Sequence, residues 1–165
     1  MRKPDLPALL AVADIVHPAY PEDPAVFAER LDLYPAGCLV LELGGKAIGY
    51  IVSHPWFYAE PPKLNSRLRV LPTDPTTYYI HDIALLPEAR GTGAATAVID
   101  RLVAHAVRRG LRNISLVAVN DSGEFWRRHG FDSVDDPKLA AKLRSYDGNA
   151  RFMVREIFVP KPAAT

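Results

Sequence analysis

Apolar residues recur at helical spacing over Leu6–Val16, where Leu6, Leu9, Leu10, Ala13 and Val16 share one face. Asp5 stands at the capping position, and His17-Pro18 ends the helix because proline disfavours helical backbone in the residue before it. A second helix is predicted from Pro24 to Leu33, with proline in its first turn. The period then changes. Cys38–Leu43 reads as a strand, Gly44-Gly45 as a two-residue hairpin turn, and Ala47–Ser53 as the returning strand. Tyr78–Leu86 is rich in aromatic and branched residues up to Pro87 and forms another strand. Ala94–Arg109 is amphipathic: Val98, Ile99, Leu102, Val103, Ala106 and Val107 oppose Asp100, Arg101, His105 and Arg108, and Gly110 closes the helix. Ile114–Val119 is almost wholly apolar, as a buried central strand requires. Asp121 and Glu124 fit a capping box for a short helix ending at Gly130. Phe131–Val134 reads as a short strand, Asp136-Pro137 opens a helix to about Tyr146, and Phe152–Val159 forms a last strand.

The stretch His54–Thr77 follows neither period. It holds Pro55, Pro61, Pro62, Pro72 and Pro75 and the aromatic cluster Trp56-Phe57-Tyr58. A loop this long in a compact domain is usually functional or disordered. No repeat and no domain boundary interrupts the chain. The pattern predicts one mixed α/β domain over residues 1–165, with a frayed tail over 159–165.

Composition narrows the function. A chain of 165 residues can bury a substantial single core, and a formal net charge of +1 gives no polyelectrolyte signal for nucleic acid. Cys38 is the only cysteine, which excludes an internal disulfide; its apolar neighbours predict a buried, inert thiol. No run of about 18 apolar residues and no signal-peptide core is present, so the expectation is a cytoplasmic protein without a membrane segment. The histidines lack ligand-like spacing and imply no metal.

The informative stretch is Tyr78–Phe131. A strand runs through Pro87-Glu88-Ala89 into Arg90-Gly91-Thr92-Gly93-Ala94-Ala95, which opens the amphipathic helix. Small residues there let a ligand approach the backbone, and the first helical turn offers N–H groups without intrahelical partners. The helix dipole adds positive potential, so the turn suits a phosphate or pyrophosphate. A Walker loop is absent. A dinucleotide fingerprint would need a small residue where Thr96 stands.

Arg90-x-x-Gly93-x-Ala95 resembles the Gln/Arg-x-x-Gly-x-Gly/Ala signature of the GNAT (Gcn5-related N-acetyltransferase) family. The flanks extend the likeness: Leu-Leu-Pro before it, a helix after it, a buried strand ending at Asn120, and Gly123–Phe131, similar to the family's aromatic helix closing with Gly-Phe. The resemblance covers about Leu6 to Val159 and is most specific over Tyr78–Phe131. It implies a mostly antiparallel central sheet of about six or seven strands with helices on both faces, the usual N-terminal strand being short or absent. It also implies acetyl-CoA as cosubstrate, its pyrophosphate on Arg90, Gly91, Thr92, Gly93, Ala94 and Ala95. The pantetheine arm would pair with backbone around Ile83, Ala84 and Leu85, flanked by Asn120, Ser122 and Phe125.

The implied reaction is acetyl transfer to a primary amine by direct attack in a ternary complex. It needs a neutral amine, a donor to the oxyanion, such as a backbone N–H near Leu85, and a proton for the thiolate. Strand alternation places Tyr79, His81, Ile83 and Leu85 on one face, with Asp82 opposite. His81 and Tyr79 are therefore candidates for the base, set against a merely structural His81. One departure stands out: many relatives carry a proton-donating tyrosine where Trp126 lies. Either another group protonates the thiolate or it leaves as such; Tyr146 is the candidate substitute, against core packing on the face it shares with Leu139 and Leu143. Trp56, Phe57 and Tyr58 are candidates for the acceptor pocket, or else anchor the loop. Arg108, Arg109, Arg127 and Arg128 offer partners for the ribose phosphate. The Trp126 departure also motivates a rival reading, a non-catalytic acyl-CoA sensor. The acceptor, the acyl chain and the choice between monomer and homodimer stay open.

Overall fold

The computed structural model describes residues 1–144 and 146–157. Helices α1 (Leu6–Val16) and α2 (Pro24–Leu33) precede strands β1 (Cys38–Leu43), β2 (Lys46–Trp56) and β3 (Thr77–Leu85). Helix α3 (Ala94–Arg108), β4 (Asn113–Ala118), α4 (Gly123–Arg128), β5 (Asp132–Ser133), α5 (Pro137–Leu143) and β6 (Arg151–Glu156) follow. The six strands lie in the order β1-β2-β3-β4-β6-β5, antiparallel except for the parallel β3–β4 pair. Mixed α/β architecture with a mostly antiparallel sheet is thus what the sequence predicts. The expected end of the last strand at Val159 and the frayed tail over 159–165 lie outside the described residues.

Each face of the sheet is covered by helices that bury a stripe against it. Ile99, Leu102 and Ala106 of α3 and Trp126 of α4 pack with Ile51, Tyr78, Ile80, Ile114 and Leu116. On the other face, Leu9 and Val12 of α1 and Phe27 and Leu31 of α2 pack with Tyr50, Val52 and Ala84. Leu139 of α5 extends that layer over Phe152 and Val154. Cys38 is fully buried, and burial pushes its thiol up to about 11, the inert state expected.

Two caps differ from expectation. Asp5 gives α1 no side-chain cap, since its carboxylate instead accepts the Arg2 N–H, 2.6 Å away. The Asp121–Glu124 capping box does not form: Asp121 adopts φ 53°, Ser122 is the N-cap residue, and Glu124 pairs with Arg127. By contrast Asp136 caps α5 through the Lys138 N–H. Helix α5 ends at Leu143 rather than near Tyr146.

The long loop is ordered by α2 and the segment before it. The Glu29 carboxylate accepts the N–H groups of Leu68 and Arg69, and Arg30, fully buried, donates to the Ser66 carbonyl. Glu22 accepts the Asn65 N–H, and the Asn65 side chain in turn accepts the Asp23 N–H.

A close approach constrains the entry to β1. A Cβ on Gly37 would come within 2.0 Å of the Ser53 carbonyl oxygen. Gly37→Ala is therefore expected to cost about 2–3 kcal/mol, read as a lower urea midpoint at unchanged slope. An unchanged midpoint would show that β2 can yield at Ser53.

Candidate functional site

Pairing between β3 and β4 covers only Tyr78–Ile114, Tyr79–Ser115 and Ile80–Leu116. Beyond Ile80 the strands diverge. On its other side β3 carries a bulge: Val52 pairs with Asp82 and Ser53 with Ile80, so His81 has no opposite residue. The gap opens into a cleft of ≈ 400 Å³, lined from β3 by His81, Asp82, Ile83 and Leu85 and from the far side by Val117, Asn120, Phe125 and Trp126.

The extra residue corrects the expected alternation. Tyr79 lies against His54, His81 meets Glu22, and Asp82 meets Tyr50 and His17, all on the α1–α2 face. Tyr78, Ile80 and Ile83 face the α3 side. Asp82 thus points to the same side as His81, and Ile83 to the opposite one. After His81 the period-2 pattern restarts one residue late.

Two carboxylate–imidazole pairs result. His81 Nε2 lies 2.8 Å from Glu22 Oε2, with both side chains 6% exposed. Burial raises the Glu22 pKa, but the charge and hydrogen bond of His81 and the Asn65 N–H outweigh it, leaving a net lowering. In the second pair, His17 Nε2 lies 3.0 Å from Asp82 Oδ1 and 3.0 Å from the Ile83 carbonyl oxygen. Burial lowers the His17 pKa, but the Asp82 carboxylate, the Ile83 carbonyl and the Glu22 charge carry it above 6.5. Burial likewise raises Asp82, and His17, Tyr50 and His81 bring it below its ordinary value. The Tyr50 hydroxyl donates to Asp82.

Of the expected reaction residues, His81 lines the cleft and Tyr79 and Tyr146 do not. Tyr79 is 3% exposed and pairs with the Tyr146 hydroxyl. Tyr146 donates to the Pro62 carbonyl, and burial pushes it up to about 12. The two phenols tie β3 to the long loop. His54, beside Tyr79, is held neutral: burial above all, with His81 nearby, takes its pKa down to about 3.

Of the expected cofactor residues, Ile83, Leu85, Arg90, Asn120, Ser122 and Phe125 line the cleft. Ala84 does not; it pairs with Tyr50 and is buried against the α1–α2 layer. Gly91, Thr92, Gly93, Ala94 and Ala95 form the turn into α3. Gly93 at φ 83° is the N-cap residue and has no side chain to cap the helix, while the Thr92 hydroxyl accepts the Ala94 N–H at 3.4 Å. A Cβ on Gly91 or Gly93 would meet nothing within 4 Å, so the turn lies open. The open first turn is an anion site by helix geometry. Arg108 and Arg109 lie at the other end of the 15-residue α3, about 20 Å away, too far to share a ligand group with that turn.

Trp56, Phe57 and Tyr58 lie outside the cleft lining. The Trp56 indole donates to the Glu60 carbonyl, and Tyr58 packs edge-on against Phe152. Those contacts of Trp56 and Tyr58 hold the loop to the body, and Phe57 is exposed. Sequence reasoning missed His17, Glu22 and Tyr50, which no motif marks. It also missed Tyr20, whose hydroxyl donates to Asp147 and joins the α1–α2 connection to the segment after α5 beside Asn120.

Glu22→Gln is expected to cost about 3 kcal/mol at pH 7, because it removes one partner of a buried pair. The Glu22 pKa is lower in the folded chain, so its contribution is complete above the ordinary 4.5 and is lost as pH falls through the folded value. Urea unfolding of the two proteins should show the gap closing on the acid side. A gap that stayed constant to about pH 3 would mean that Glu22 acts by packing alone.

Known proteins resemble the chain to different depths. The acetyltransferase (GNAT) family model matches residues 9–131. An uncharacterised N-acetyltransferase of Methanocaldococcus jannaschii is 30% identical over 99 residues, 58% of this chain and 39% of that protein, so the chain spans well under two thirds of that relative's length. Among solved structures, Ard1 from Thermoplasma volcanium is 16% identical with a TM-score of 0.70, over 96% of this chain and 95% of that one. The GNAT-like decarboxylase GphF in complex with isobutyryl-CoA is 16% identical with a TM-score of 0.75, over 94% and 96%. At such identities the two structures show a shared fold.

Proposed function

The chain belongs to the acetyltransferase (GNAT) family, and we propose that it transfers acetyl from acetyl-CoA to a primary amine by direct attack in a ternary complex. The observation that carries this reading is the gap between β3 and β4, which leaves strand backbone unpaired beside an open helix N-terminus. Ile83 and Leu85 turn their carbonyls into that gap, where side chains of His17 and Arg90 meet them. An extended amide-bearing arm fits such an edge by strand-like pairing, and its pyrophosphate fits the turn Arg90–Ala95.

The neighbouring N–H groups of the gap edge supply donors for the oxyanion that forms when nitrogen adds to the thioester. His81, oriented by Glu22, takes the proton from the attacking nitrogen. The cleft excludes bulk water on the α4 side with Phe125 and Trp126.

Thermal-shift titration tests the cosubstrate directly. Acetyl-CoA and CoA at about 100 times the dissociation constant should each add roughly 2.7 kcal/mol of stability, and ATP should add none. Gly93→Val, which forces a branched residue into φ 83°, should weaken acetyl-CoA binding by at least about tenfold. Equal shifts with ATP would reject the acyl-CoA reading, whereas binding without turnover across an amine panel would assign the chain as a sensor.

A further inference from the structure

Within the acetyl transfer proposed above, the leaving sulfur has no tyrosine to protonate it from α4, because Trp126 stands on that wall. We infer that His17, whose Nε2 reaches into the cleft at Ile83, is the proton donor to the departing CoA thiolate. His17 follows α1 directly and lines the cleft with a 20% exposed side chain. Its Nε2 is shared between Asp82 and the Ile83 carbonyl. That carbonyl belongs to the backbone edge on which the pantetheine arm would pair. An arm that takes over the Ile83 carbonyl removes one of the two acceptors that share the Nε2–H, and the thiolate sulfur takes that place beside Asp82. The thioester then lies within reach of the released proton.

Charge around the ring supports the protonated form. The groups facing it are Asp14 from α1, Tyr20 and Glu22 from the α1–α2 connection, Tyr50 from β2, and His81 and Asp82 from β3. The carboxylates outnumber the one facing imidazole, and the pKa of His17 is raised above 6.5.

A second cavity closes the cycle. A space of ≈ 20 Å³ lies between His17, Asp82 and Glu22, bounded also by Asp14 and Tyr20. That is room for one water with several polar partners. In the reaction the C–N bond forms and the C–S bond breaks. The amine proton passes to His81, and the sulfur takes the Nε2 proton of His17. A proton then returns from His81 through Glu22 and the cavity water to His17. The products are amide and CoA thiol, and no other reactant is consumed.

Two variants test this: His17→Gln removes the proton and the charge, and His17→Arg keeps the charge without a transferable proton. Thermal shift first establishes CoA binding by each protein. The thiol of bound CoA is then titrated by its ultraviolet thiolate absorbance. A nearby imidazolium should place the wild-type midpoint about one pH unit below that of His17→Gln, with His17→Arg keeping the low value. Thiol release from acetyl-CoA with water as acceptor should fall about 100-fold in both variants. An unshifted midpoint in His17→Gln overturns the inference whatever the hydrolysis rate, and so does wild-type turnover by His17→Arg. Absence of CoA binding by the wild type would instead remove the acyl-CoA reading on which the inference rests.

Discussion

One extra residue in β3 governs the cleft. Because His81 has no partner on β2, the strand turns its next side chain to the side it has just used, and Asp82 follows His81 onto the α1–α2 face. The same local distortion falls where β3 ceases to pair with β4. A bulge increases twist and bends a strand, so the divergence of the two parallel strands and the doubling of polar groups share one origin. A regular β3 would keep its edge paired and carry Asp82 into the α3 layer, among Ile99 and Leu102, where a carboxylate has no partner.

The polar groups gathered this way are costly to bury. Glu22 and His81 are each 6% exposed, and Asp82 receives both His17 and Tyr50. Buried pairs seldom add net stability over apolar replacements, whereas breaking one costs several kcal/mol. Their retention beside a cleft fits a site better than a core. The Tyr79–Tyr146–Pro62 chain and the Glu29 bonds to the long loop serve differently, since they pin the 57–76 segment to the body away from the gap.

The sequence was most readable where chemistry is local. Proline in the first turn placed α2 and α5, the two glycines at Gly44-Gly45 placed the first hairpin, and the spacing from Val98 to Val107 placed α3. The glycine turn at Arg90–Ala95 was legible because its conformation depends only on its own backbone. Local capping rules failed at Asp5 and Asp121, where one carboxylate turned to Arg2 and the other residue took a left-handed φ. The bulge was not legible, for register depends on the neighbouring strand, and a one-residue slip reverses every later side chain. Nor were His17 and Glu22, which meet β3 across 66 and 59 residues without a motif.

Trp126 divides the cleft chemically. It is 5% exposed and packs edge-on against Phe125 at 5.0 Å and Phe131 at 5.2 Å. Phe125 and Trp126, with Leu116, Val117 and Val119, make most of the β4–α4 side of the cleft apolar, Asn120 and Ser122 being its neutral polar groups, while His17, His81, Asp82 and the nearby Glu22 stand on the other side. A ligand between such walls meets proton-active groups from one direction only. The low polarity of the aromatic wall strengthens those charges by excluding water. If nitrogen loses its proton and sulfur gains one in such a cleft, both transfers must use the same wall. Two separate imidazoles let each transfer use its own ring. The carboxylates keep the two rings apart, since Glu22 holds His81 and Asp82 holds His17 at the Ile83 carbonyl.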